Sequence, residues 1–109
     1  MQSKGNAPNP AQVKWREDVR QINCVVTGSS TDIQIHHVVG CTGKHNKKDI
    51  GHWWILPVTE NGHRIIERAG KKEQAEKFID VCRQWKVNNP FQELPFPREV
   101  YESVMEYRR

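Results

Sequence analysis

Four histidines and a glutamate crowd into residues 33–67, as His36, His37, His52, His63 and Glu67, with the fifth histidine, His45, between them. Imidazole is the side chain whose free pKa lies nearest neutrality, so it can take a proton from water at pH 7. Imidazole and carboxylate together can also hold a divalent cation, which neutralises charge on a phosphate and assists a leaving oxygen. His36, His63 and Glu67 can act as metal ligands and His37 as the general base, while His52 can serve in either role. Such a set suits metal-assisted hydrolysis of a phosphodiester. The plainer alternative for His36-His37 is an edge strand carrying two ordinary surface imidazoles.

The elements must bring these groups together. Residues 23–27 form a short β-branched run, Gly28-Ser29-Ser30 a turn, and residues 32–39 alternate in the strand manner. A hairpin of these two runs is predicted. Along the second run Ile33, Ile35 and His37 share one parity, and Gln34, His36 and Val38 the other. Residues 40–51, GCTGKHNKKDIG, read as a basic loop too polar to bury, and residues 53–58 as a short strand stopping near Pro57. Thr59 can cap a helix with Glu60 in its first turn. Gly62 weakens that helix, which ends near Gly70; His63 and Glu67, four apart, face the same way on it.

The flanking segments supply the core. Residues 1–9 read as a loose leader, and 10–21 as a helix with Val13, Val19 and Ile22 near one face and Trp15 beside it. A helix over 71–86 carries an apolar stripe of Ala75, Phe78, Ile79, Cys82 and Trp85. Residues 87–97 are predicted to wrap in extended form, pinned by Phe91, Leu94 and Phe96. A last helix, 97–107, packs through Val100, Tyr101, Val104 and Tyr107.

At 109 residues the chain is expected to form one domain, burying roughly two thirds of its unfolded surface. Four Trp and three Phe argue against disorder, and a net charge of +4 favours polyanionic partners. Three cysteines with no Cys-x-x-Cys pair are not a disulfide framework and suit a reducing compartment. No run approaches a membrane span and no signal-peptide pattern opens the chain, so a cytoplasmic location is expected.

Within this frame four blocks stand in order: Cys24-Val25-Val26-Thr27-Gly28, Ile35-His36-His37-Val38, Lys47-Lys48-Asp49-Ile50-Gly51-His52 and Leu56-Pro57-Val58-Thr59-Glu60-Asn61-Gly62-His63. Over about residues 22–70 this resembles the HNH endonucleases (ββα-metal, or His-Me finger), and most of all the phage recombination-enhancement, RecA-dependent nuclease group. The resemblance implies an α+β fold: a small ββα-metal core of a β-hairpin plus helix, with added N- and C-terminal helices, the latter over 71–109. It implies a divalent-metal-dependent DNA endonuclease, phage or prophage encoded, acting in recombination or repair. By position, His36, His63 and Glu67 would be metal ligands, His37 the general base and His52 a further active-site group. Lys44, Lys47 and Lys48 would meet DNA phosphates beside the centre. Mg²⁺ or Mn²⁺ would be the cation, with Zn²⁺ or Ni²⁺ as alternatives at the histidines, DNA the partner and a recombinase a further candidate.

The chain also departs from that pattern. Of the four positions that hold a structural zinc in many HNH proteins, Cys24 alone keeps a thiol; the others are Thr27, Thr59 and Gly62. No structural zinc is therefore expected, with Trp53 or Trp54 packing in its place. Trp54 stands at the position of the middle Asn of the HNH triad, with Asn46 and Asn61 as substitutes. These departures favour the alternative of a catalytically degenerate HNH-fold DNA-binding module. A scaffold with incidental histidines is the third reading, supported if His36, His37 and His63 lie far apart.

Overall fold

The computed structural model describes residues 7–40, 44–45 and 48–108, with the backbone alone at 44–45 and 48–49. Helix α1 (Pro10–Val19) begins with a reciprocal cap. Asn9 Oδ1 accepts from the Gln12 amide at 2.8 Å, and Gln12 Oε1 accepts from the Asn9 amide at 2.9 Å. Pro10 fits the first turn because its missing N–H would have no partner there.

Strand β1 (Gln34–His37) pairs antiparallel not with residues 23–27 but with β4 (Ile55–Val58), placing His36 opposite Leu56 and His37 opposite Ile55. Between them β2 (Lys44–His45) and β3 (Lys48–Asp49) form a second small ribbon inside the expected basic loop. The expected hairpin partner fails for a local reason. Val26 and Thr27 donate their amides to Cys24 Sγ at 3.4 and 3.2 Å, and the Gly28 amide bonds back to the Cys24 carbonyl at 2.9 Å. A run that reads as β-branched strand is thereby wound into a turn around sulfur, closed by Gly28 at φ +80°. The Val25 amide then donates to the Pro57 carbonyl at 3.1 Å. A strand residue's N and C=O point to the same edge, so the donor that Pro57 lacks also falls on this outer side.

Helix α2 (Glu60–Glu67) follows β4 directly, its start fixed by Thr59 Oγ1, which accepts from the Gly62 amide at 3.0 Å. Helix α3 (Lys71–Asn88) and helix α4 (Arg98–Met105), extended by a 3₁₀ turn at Glu106–Arg108, complete an α+β fold. Among the described residues, four α-helices surround a two-stranded antiparallel hairpin, and no helix is long and apolar enough to cross a membrane.

Aromatic rings fill the space between α1, α3 and the segment after it. Trp15 packs edge-on against Phe96 at 5.3 Å and lies 5.8 Å from Trp85 and 6.5 Å from Phe78. Its indole N–H donates to the Trp53 carbonyl at 2.9 Å. Phe96 and, in part, Leu94 hold the 87–97 wrap, but Phe91 does not: it is 99% exposed. On α3 the buried face takes Gln74, Ala75, Phe78, Val81, Cys82 and Trp85, leaving Ile79 half-buried.

Gly62 is explained by close approach rather than helix preference. A Cβ there would lie 2.7 Å from Cys24 Sγ, 3.2 Å from Thr59 Oγ1 and 3.4 Å from Val26 Cβ. Overpacking of this kind costs about 1–3 kcal/mol. Gly62→Ala is therefore expected to destabilise by that amount, and Cys24→Ala in the same chain to recover part of it. A double-mutant cycle by urea unfolding checks this; strictly additive losses would contradict the contact.

Candidate functional site

Successive strand residues face opposite sides, and on β1 this divides the histidines into two pairs. The His36 ring lies over His63 of α2, with centroids 4.9 Å apart and planes tilted by 58°. One turn along α2, Glu67 Oε2 is 3.9 Å from His63 Nε2. The His37 ring instead meets His52 edge-on, with centroids 6.2 Å apart. His52 is buried, in the turn preceding β4. The candidate ligands and the candidate base thus sit side by side on one strand but look to different faces. Among the described residues, no three of His, Cys, Asp and Glu form a group that could hold a metal ion. His36 and His63 have ring centroids closer together than His37 and His52, and Glu67 stands beside His63. The side chains of Lys44 and Lys48, and the whole of Lys47, lie outside the described residues, as do the His45 side chain and Asn46.

Both described histidines of β1 are held below the usual imidazole pKa. For His36 the main cause is burial; the charges of His63 and Lys71 act in the same direction, while Gln74 and Glu67 oppose it. For His37 burial again leads, followed by His52, Arg16 and His36. Both rings therefore favour the neutral form at pH 7. A base with a depressed folded pKa binds fewer protons folded than unfolded. Its contribution to stability is complete above about pH 6.5 and drains away as pH falls through the folded pKa. Melting curves between pH 7.5 and 5.5 should show a falling Tm, with a smaller fall in a His36→Gln, His37→Gln double variant. Equal falls in the two proteins would contradict this.

The four positions read in the sequence as a lost zinc knuckle do converge. Cys24 Sγ is 3.8 Å from Thr59 Oγ1, which in turn is 3.4 Å from Thr27 Oγ1, and Gly62 closes against both Cys24 and Thr59. Trp53 and Trp54 do not fill this space: Trp53 packs on Phe96 and Trp54 on Tyr107. Burial raises the Cys24 thiol, but hydrogen bonds from Thr27, Thr59 and Val26 outweigh it and bring the pKa down to about 6. Cys82, with burial alone acting on it, is pushed up to about 12.

Sequence reasoning missed Gln74 and Arg16. Gln74 Oε1 is 2.9 Å from His36 Nε2, and the long indole contact of Trp54 reaches the Gln74 carbonyl at 3.5 Å. The signal was available: Gln74, Phe78, Val81, Cys82 and Trp85 form one ridge at helical spacing, so a polar residue occupies a buried face. Arg16, on α1, is found only through the fold.

No protein family, curated protein or solved structure matches the chain.

Proposed function

We propose that this chain is a divalent-metal-dependent DNA endonuclease of the HNH (ββα-metal) type, hydrolysing phosphodiester bonds, with recombination or repair as its setting. The observation that carries the reading is the approach of the His36 ring of β1 to that of His63 of α2, centroids 4.9 Å apart, with Glu67 one turn further. Supporting it, β1 pairs antiparallel with β4 and α2 follows β4 directly, the strand–strand–helix arrangement on which that motif depends.

The donor chemistry fits a divalent cation in part. His36 and His63 would hold it, water and phosphate oxygens would fill other positions, and the half-exposed Glu67 carboxylate can rotate toward it. Imidazole donors favour Ni²⁺ or Zn²⁺, whereas the carboxylate, water and phosphate oxygens suit Mn²⁺ or Mg²⁺. Bound there, the cation would neutralise the phosphate and assist departure of the 3′ oxygen. His37 is neutral at pH 7 and accepts the proton of the attacking water. Burial, and after it the charges of His52 and Arg16, disfavour a charged His37 and so keep the ring in the neutral form that a base needs. β1 pairs with β4 alone among the described residues, so its other edge carries no strand. A phosphodiester laid along that edge would have to be contacted by His36 from one face of the strand and by His37 from the other. The net charge of +4 favours the approach of DNA.

The alternative, a DNA-binding module of the same fold without catalysis, is favoured by two observations. No three-donor group occurs among the described residues, and the fully buried Trp54 stands where the triad Asn would be. Supercoiled plasmid decides between the two. The purified chain is expected to nick it with Mn²⁺ or Mg²⁺ and to stop when EDTA is added. Binding without nicking in Mg²⁺, Mn²⁺, Ni²⁺ and Zn²⁺ would establish the module instead.

A further inference from the structure

The proposed chemistry gives no role to the buried side chain of Gln74. Gln74 is 4% exposed and lies in the first turn of α3, beyond the strand–strand–helix unit. Both ends of its amide are engaged. Nε2 donates to the Ala69 carbonyl at 3.0 Å, and Oε1 lies 2.9 Å from His36 Nε2. A carbonyl only accepts, so the Ala69 contact determines which end of the amide carries the hydrogens. Oε1 likewise only accepts, so the hydrogen between Gln74 and His36 must belong to Nε2 of the ring. A neutral imidazole has one N–H and one lone pair, and the lone pair of His36 is therefore on Nδ1.

The same side chain joins the two elements that carry the adjacent imidazoles of His36 and His63. Ala69 follows the end of α2, where helix carbonyls run out of amide partners, and α2 holds His63. His36 is on β1. A glutamate could accept from His36 but could not donate to Ala69, whereas a glutamine does both.

We propose that Gln74 is a positioning residue: it locks His36 as the Nε2–H tautomer, leaving the ring's lone pair on Nδ1, and it ties β1 to the end of α2. The use of Nδ1 toward a cation rests on the nuclease reading above; the tautomer does not.

The test is long-range ¹H–¹⁵N correlation of the histidine rings in the metal-free, full-length protein at pH 8, with His36 assigned by a His36→Asn variant. The expected His36 pattern is Nε2–H. An Nδ1–H pattern, or an averaged mixture, overturns the proposal. Gln74→Met removes the acceptor and should release His36 into a mixture of tautomers, whereas Gln74→Glu, which still accepts, should keep it Nε2–H. An unchanged His36 pattern in Gln74→Met also overturns the proposal. If Gln74→Met fails to fold, the wild-type and Gln74→Glu spectra still decide. With Mn²⁺ as probe, loss of an outer partner should lower affinity about 10- to 100-fold in Gln74→Met. Wild type that shows the Nε2–H pattern but binds no Mn²⁺ supports the tautomer assignment and counts against the nuclease reading alone.

Discussion

His37→Ala is expected to slow plasmid nicking by about 100- to 10,000-fold, the usual loss when a general base is removed. Folding and DNA affinity should stay close to wild type, because the ring is only half-buried. The variant also separates the two histidine pairs. If His36 and His63 bind a cation by themselves, Mn²⁺ affinity should survive the change while turnover does not. Nicking at the wild-type rate would remove His37 from the mechanism and shift attention to His52, whose ring faces it.

Trp15→Ala should be the most damaging single change to the fold, at about 3–5 kcal/mol for truncating a buried Trp. Trp15 is fully buried, touches Phe78, Trp85 and Phe96, and is the side chain by which α1 reaches the turn before β4. Trp15→Phe keeps most of the apolar contact and removes the indole donor from the Trp53 carbonyl, which still accepts from the Ile55 amide at 3.0 Å, so the loss should be about 0.5–1.5 kcal/mol. Urea unfolding of both variants checks the ranking. A loss below about 1 kcal/mol for Trp15→Ala would mean that α1 is not part of the cooperative core.

The helices were legible because their signals are local. Pro10 suits a first turn and Thr59 has the oxygen that one needs, and the Ala75–Phe78–Cys82–Trp85 spacing marks a buried face without further information. The strand pairing was not legible. Val25 and Val26 carry a strong strand preference, but three atoms around Cys24 decide their conformation, and hydrogen bonds to sulfur leave no periodic trace. Phe91 misled for a similar reason: α3 continues to Asn88, leaving Phe91 on a short exposed turn where its apolarity finds no core. In the candidate site, the i, i+4 spacing of His63 and Glu67 and the opposite parities of His36 and His37 could both be read directly. The partner of His36 on α3, and the pairing of His37 with His52, depend on contacts between elements far apart in the chain.

The reading as a whole rests on His36 and His63 forming one cation site. A crystal of the protein soaked in Mn²⁺, with an anomalous difference map, tests that most directly. The expected result is a single strong peak between the two rings, bonded to His36 Nδ1 and His63, with the Glu67 carboxylate turned toward it. A map with no peak there, or with its peak at the His37–His52 pair or at Cys24, would contradict the account.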